Sequence, residues 1–180
     1  LVEYIDWTPF FHAWELRGVW DREKKELKTK NEGGAVEAKK LYHEACDYLE
    51  KLIAEKRFQA RRIYGFFPAN ADGDDIVVWN EDGTERTRFH TLRQQLKKTS
   101  SKPNVALSDW VKPTSTDYIG GFVVGIHGAD EYAKELELAH DPYGSIMVKA
   151  IADRLAEAFA EMLHHRARIE WGYEAEGELT

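Results

Sequence analysis

The sequence predicts an α+β fold: a single domain with a central, mainly antiparallel twisted sheet flanked by long helices. Two observations carry this prediction. Apolar residues recur at helical spacing over 35–57 and again over 145–166. The stretch between them holds short β-rich runs without regular βαβ alternation. The length of 180 residues fits one domain over 1–180.

Strands are predicted where short runs are rich in β-branched and aromatic residues, and these runs are 62–67, 75–79, 84–89 and 118–124. The second and third runs flank Asn80-Glu-Asp-Gly83, a turn signal that predicts a β-hairpin. The first strand is expected to end at Pro68, since proline donates no backbone hydrogen bond.

Shorter elements complete the prediction. Helices are expected at 92–98 and 130–139, and a further short helix near Pro9 with Asp6 as its cap. The charged segment from Trp20 to Asn31 alternates in sign and runs into two glycines, which indicates an exposed connection.

Composition limits the function classes. Hydrophobic residues make up 43% and charged residues 32%, a globular balance, and the net charge of −7 disfavours a nucleic-acid partner. No run of about 18 apolar residues could span a membrane. The single cysteine, Cys46, excludes an internal disulfide. We therefore expect a soluble, cytoplasmic protein, and the opening at Leu1 indicates a piece of a longer one.

A row of carboxylates on the last predicted helix is the first candidate site. Asp153, Glu157 and Glu161 lie four residues apart on one face. Such a row is typical of a solvated face. The alternative is that one of these carboxylates projects into a cleft to hold a cationic ligand or to meet a partner domain.

The aromatic opening is the second candidate. Asp6 lies beside Trp7 and just before Phe10 and Phe11. An acid next to aromatic faces suits a sulfonium or ammonium cation. The same pattern fits a capping aspartate followed by core aromatics.

Two Glu-x-x-His pairs, Glu137-Leu-Ala-His140 and Glu161-Met-Leu-His164, raise a di-metal alternative. Such pairs build di-iron sites when they lie on facing helices of a four-helix bundle. The predicted strands of the middle third contradict that bundle, and we expect no metal site.

Several longer sequence motifs resemble those of a known family. They are Tyr4-Ile-Asp-Trp-Thr-Pro-Phe-Phe11, Gly65-Phe-Phe-Pro-Ala-Asn70, His90-Thr-Leu-Arg-Gln-Gln95, Leu107-Ser-Asp-Trp110, Asp117-Tyr-Ile-Gly120, the run from Ile146 to Glu161 and Trp171-Gly-Tyr173. In this order they resemble the activation domain of cobalamin-dependent methionine synthase, and the resemblance covers nearly the whole chain.

The resemblance implies a role in methionine biosynthesis. The family's enzyme is a methyltransferase that moves a methyl group from methyltetrahydrofolate to homocysteine through cobalamin. Its activation domain binds S-adenosylmethionine above the cobalamin-binding domain, and flavodoxin or a flavoprotein reductase supplies an electron for reductive remethylation of inactive cobalamin. Because the partner domain binds the cobalamin, this chain alone is not expected to catalyse a reaction.

The resemblance also implies site residues. Asp6 and Glu157 are expected to contact S-adenosylmethionine, and Asp153 to lie at the interface with the cobalamin domain. The family continues past Trp171-Gly-Tyr173 into an Arg-Pro-Ala-Pro-Gly-Tyr-Pro-Ala-Cys-Pro motif that helps to hold the ligand. The chain stops at Thr180, so we expect a domain truncated before that motif. The alternative function is a non-enzymatic domain of the same fold that docks on a corrinoid protein without binding S-adenosylmethionine.

Overall fold

The computed structural model describes residues 1–98 and 101–174. The chain forms two compact units: unit 1 is Leu1–Arg62 with Val124–Thr180, and unit 2 is Ile63–Val123. The helices are α1 (Thr8–Ala13), α2 (Glu32–Ala54), α3 (Ala129–Leu138) and α4 (Pro142–Trp171). The strands are β1 (Val19–Asp21), β2 (Glu26–Lys28), β3 (Gln59–Asp72), β4 (Asp75–Trp79), β5 (Glu85–His90) and β6 (Asp117–His127). The end at Thr180, where truncation was expected, lies outside the described residues.

The long helix α4 confirms the prediction for 145–166 and extends it at both ends. Asp141 caps its start, because the Asp141 carboxylate accepts a hydrogen bond from the Gly144 amide at 2.8 Å. Pro142 follows at the first helical position, where a missing N–H costs little. The helix ends at Gly172, which adopts a left-handed φ of 84°.

The core of unit 1 lies between α2, α4 and the N-terminal segment. The buried stripe of α2 comprises Ala38, Leu41, Ala45, Leu49 and Leu52. This stripe and the buried face of α4 belong to one apolar cluster that also holds Phe10 and Phe11, both almost fully buried. The two long helices therefore pack against each other through their apolar stripes, one of the two arrangements predicted.

The prediction of an exposed connection from Trp20 to Asn31 was wrong. This segment forms the β1–β2 hairpin, in which Trp20 pairs with Leu27. Both side chains are buried in the core of unit 1. Each strand of three residues buries a single large side chain, and the surrounding charges hide this pattern in the sequence.

The main sheet has the strand order β5-β4-β3-β6. The β3–β4 and β4–β5 pairs are antiparallel, and the predicted hairpin at Asn80–Gly83 joins β4 to β5. Strand β3 runs on past Pro68, where the sequence predicted its end. The pairing of β3 with β4 covers Ala69 to Asp72, so the missing N–H of Pro68 interrupts none of these pairs.

The helix predicted at 92–98 is absent, and this prediction was also wrong. Arg93 donates to Asp74 and Asp109 at 2.7 Å each and to the Asn104 carbonyl at 2.9 Å. The Gln94 amide donates to the Val105 carbonyl. These bonds to residues outside the segment hold it in an irregular, non-helical conformation that local helix propensity cannot overcome.

No helix within 1–98 and 101–174 is long and apolar enough to cross a membrane.

Candidate functional site

Unit 1 contains an open cavity of about 900 Å³. The N-terminal segment with the β1–β2 hairpin forms one wall, and α4 forms the other. The lining residues are Glu3, Tyr4, Asp6, Thr8, Pro9, Val19, Trp20, Arg22, Arg154, Glu157, Ala158, Glu161, His165 and Arg168. The structure thus brings Asp6 and Glu157 to one cavity from distant parts of the sequence.

The prediction that Asp6 caps α1 was wrong: the N-cap is Trp7, and no side chain caps the helix. The Asp6 Oδ1 accepts a hydrogen bond from the Thr8 amide at 2.9 Å instead, a local contact just before the helix. The Asp6 side chain also lines the cavity. The neighbouring rings of Trp7 and Phe10 are buried in the core and do not line the cavity. Tyr4 and Trp20 supply the aromatic surface there instead.

The carboxylates of α4 divide between the cavity and the surface. Glu157 and Glu161 line the cavity, whereas Asp153 is exposed and is not among the lining residues. Residues at this spacing share one side of the helix, but successive turns lie at different depths along it. Asp153 is therefore the carboxylate of the three that lies outside the cavity lining.

The cavity carries charges of both signs. Four carboxylates (Glu3, Asp6, Glu157, Glu161) and three guanidinium groups (Arg22, Arg154, Arg168) line it. Arg22 donates through Nη2 to the Ile5 carbonyl at 3.2 Å, and the Arg168 Nε lies 2.6 Å from the Glu174 carboxylate. A cavity with both signs suits a zwitterionic ligand whose cationic groups and carboxylate need separate partners.

Sequence reasoning missed the polar pair that joins the two walls. The Tyr4 hydroxyl lies 3.0 Å from His165 Nδ1, and His165 is only 9% exposed. Tyr4 stands two residues before Asp6, and His165 stands four residues after Glu161 on α4. The four-residue spacing from a lining carboxylate is the signal that could have pointed to His165.

The di-metal alternative fails on the fold. The sheet replaces the four-helix bundle that such a site needs. Glu137 receives hydrogen bonds from Ser145 and Lys149 at 2.8 Å each, and the Lys149 bond chiefly lowers the Glu137 pKa. Among residues 1–98 and 101–174, no His, Cys, Asp and Glu side chains gather in a group that could hold a metal ion.

Comparison with known proteins identifies the family. The chain matches the family model described as vitamin B12 dependent methionine synthase, activation domain, over residues 1–180. It is also similar to a crystal structure of the MetH reactivation domain bound to AdoHcy, with a TM-score of 0.84 and 45% sequence identity. The match covers 98% of this chain and 55% of that chain, so this chain spans about half of its relative. The resemblance predicted from the sequence is confirmed, and the chain belongs to the family of activation domains of vitamin B12-dependent methionine synthase.

Proposed function

We propose that the cavity of unit 1 binds S-adenosylmethionine and its demethylated form, S-adenosylhomocysteine (AdoHcy). One observation carries the proposal. Asp6 and Glu157 meet at a cavity of mixed charge in a chain 45% identical to a domain whose crystal structure holds AdoHcy. This observation favours ligand binding over the alternative of a domain that only docks on a corrinoid protein.

The chemistry of the ligand fits the lining. S-adenosylmethionine carries a sulfonium and an ammonium group beside one carboxylate. The Asp6 and Glu157 carboxylates attract the two cations, and a guanidinium group is the natural partner of the carboxylate. That guanidinium comes from a cavity arginine or from the family's arginine-proline motif, expected after Thr180. The volume of about 900 Å³ lies within the usual range for small-molecule sites.

The proposed role is reactivation of a methyltransferase that makes methionine from homocysteine. Cobalamin, held by its own domain, supplies the methyl-carrying chemistry. The residues of this chain bind S-adenosylmethionine and orient it toward that domain. We propose flavodoxin or a flavoprotein reductase as the electron donor and the cytoplasm as the compartment. The chain by itself is a binding domain, because the reacting centre belongs to its partner.

The binding site can be tested by calorimetry with AdoHcy and S-adenosylmethionine, on the full-length protein that contains this chain. Asp6→Asn and Glu157→Gln each remove one charged contact, so each should weaken S-adenosylmethionine binding by about tenfold. AdoHcy lacks the sulfonium charge, so its affinity should fall less.

The matched control for this test is Glu131→Gln, an exposed carboxylate on α3 outside the cavity. It should leave both affinities unchanged. Undiminished affinity in both Asp6→Asn and Glu157→Gln would mean that Asp6 makes only its local contact with the Thr8 amide and that the site lies elsewhere.

Asp153 is proposed to contact the cobalamin domain. It is exposed and lies one turn before Glu157 on α4, outside the cavity lining. In the intact enzyme, Asp153→Lys should slow reactivation by about tenfold, equivalent to roughly 1.4 kcal/mol of docking free energy. The AdoHcy affinity and the primary methyl transfer should not change. Equal reactivation rates in the wild type and the variant would contradict the proposal.

A further inference from the structure

His165 is a buried polar side chain that the proposed function does not use. It is 9% exposed and lies on α4 beyond Glu161. Its Nδ1 lies 3.0 Å from the Tyr4 hydroxyl, and its Nε2 lies 3.8 Å from Glu174 Oε2. Tyr4 and His165 both line the cavity, from opposite walls. His165 therefore connects the segment that carries Asp6 to the helix that carries Glu157.

The second contact of His165 depends on how α4 ends. Gly172 takes a left-handed φ of 84°, and the Tyr173 amide then donates to the Arg168 carbonyl at 2.8 Å. This turn brings the Glu174 carboxylate to His165 and to Arg168, whose Nε is 2.6 Å away. The Glu174 side chain is largely buried, at 15% exposure. The imidazole is thus held between a hydroxyl on one side and a carboxylate on the other.

In the neutral ring, the Glu174 carboxylate near Nε2 favours one direction for the Tyr4 hydrogen bond. His165 Nε2 is buried and makes no hydrogen bond within the described residues. If Nε2 carried a lone pair, that lone pair would face the Glu174 carboxylate oxygen and be repelled. In the neutral ring the proton therefore resides on Nε2, and Nδ1 accepts from the Tyr4 hydroxyl.

We propose that His165 is a positioning residue for the ligand cavity. Through the Tyr4 hydroxyl it sets the separation between the wall bearing Asp6 and the wall bearing Glu157. It need not touch the ligand. The inference rests on the proposed function, because the separation matters only when one ligand must contact both walls.

Loss of the hydrogen bond between Tyr4 and His165 should shift the N-terminal segment, which forms the wall bearing Asp6, without unfolding the protein. The N-terminal segment is also held by Ile5 and Trp7, which are 2% and 6% exposed within the core. These apolar contacts remain when the hydrogen bond is removed. A ligand that contacts both walls is sensitive to a small displacement, whereas global stability depends mainly on the core.

Two substitutions at His165 separate the roles of the ring nitrogens. In His165→Asn the amide oxygen can occupy the place of Nδ1 and accept from Tyr4. In His165→Gln the amide reaches the place of Nε2, and no acceptor for the Tyr4 hydroxyl remains at the place of Nδ1. We expect His165→Gln to weaken AdoHcy binding by about three- to tenfold, the equivalent of one neutral hydrogen bond. His165→Asn should retain affinity within about twofold.

Calorimetry with AdoHcy on the full-length protein measures these affinities, and urea unfolding checks stability. Tyr4→Phe should match His165→Gln, and the double variant should be no weaker than either single one. His43→Gln is the control, since His43 is exposed on α2 and contacts the Lys39 carbonyl of its own helix. Equal losses in His165→Asn and His165→Gln, or additive losses with Tyr4→Phe, would overturn the inference.

A ligand-free measurement tests the same geometry. Imidazole nitrogen shifts in ¹⁵N-labelled protein at alkaline pH should report the Nε2–H tautomer of His165, and a Nδ1–H tautomer would overturn the inference. If Asp6→Asn weakens AdoHcy binding while His165→Gln does not, the proposed function stands and this inference is wrong. If the wild-type protein does not bind AdoHcy, both are wrong.

Discussion

The two units of the chain are stabilised in different ways. Unit 1 has a large apolar core in which aromatic side chains such as Phe10, Phe11 and Trp20 pack against α2 and α4. In unit 2 the buried cluster within the described residues consists of Ala69, Ile76 and Val78. Large side chains of unit 2, such as Leu92 and Trp110, are 85% and 70% exposed.

Charged hydrogen bonds fix the loops of unit 2. Arg93 links Asp74 with Asp109 and the Asn104 carbonyl, partners that lie 11 to 19 residues from it in the sequence. Arg88 similarly contacts Asp72 at 2.7 Å. Within one chain, unit 1 is thus stabilised mainly by burial of apolar side chains, whereas hydrogen bonds from arginine guanidinium groups fix the loops of unit 2. The two kinds of stabilisation should respond to different perturbations.

The largest expected effect is loss of core volume in unit 1. Phe11 is fully buried, so Phe11→Ala should destabilise unit 1 by about 3–5 kcal/mol. Val78→Ala, in the small cluster of unit 2, should cost only about 1–2 kcal/mol because it removes two methyl groups from a thin core. Hydrogen exchange read separately for α2 and for β4 gives the stability of each unit.

Val36→Ala is the control for these core substitutions, because Val36 is 59% exposed on α2. Val36→Ala should change the free energy of unfolding, as measured by hydrogen exchange, by no more than about 0.5 kcal/mol in either unit. If Val78→Ala proved as costly as Phe11→Ala, the contrast between a large and a small core would be wrong.

A smaller effect is expected from acid, and it should be concentrated in unit 2. Arg93 and the Ala106 amide lower the pKa of Asp109 to about 2. Because this pKa is below its usual value, the stabilisation is present above about pH 4 and is lost as the pH falls toward 2. Amides of the loop at Gln94 and Ala106 should lose exchange protection in that range.

Asp109→Asn should remove this pH dependence and reduce protection at neutral pH, since the amide cannot form the charged pair with Arg93. The control is Asp47→Asn, at an exposed position on α2, which should change neither the pH dependence nor the exchange protection of this loop. A loop whose protection is constant from pH 5 to about pH 2 would show that Arg93 does not hold it through Asp109.

In each of the two regions the sequence predicted some elements and missed another. The long helices α2 and α4 were predicted because their apolar periodicity continues for many turns, and the β4–β5 hairpin because of its turn residues. The segment 92–98 was mispredicted because the bonds of Arg93 are long-range. The β1–β2 hairpin was missed because each short strand buries one side chain.

The candidate site was predictable only in part. Residue patterns singled out Asp6 and the row that contains Glu157, and the family resemblance assigned these two residues to the ligand; their common cavity agrees with that expectation but does not test the ligand. Tyr4 and Arg22 could not be selected, because their significance depends on which segments meet in three dimensions, and for His165 the only local signal was its four-residue spacing from Glu161. No local pattern encodes a hydrogen bond between residues 4 and 165.

The discontinuity of unit 1 has a consequence for synthesis on the ribosome. Residues 1–62 emerge first, but their core partners on α4 follow only after the whole of unit 2. Unit 2 is continuous in the chain, and its antiparallel hairpins can form while translation proceeds. At a translation rate of about 5–20 residues per second, the Phe10 and Phe11 rings remain without their partners on α4 for roughly 5–30 s. The walls of the ligand cavity come from the first and the last part of unit 1, so the cavity is completed only after α4 has been synthesised. Until then, chaperones that bind exposed aromatic rings have their longest opportunity at the N-terminal segment.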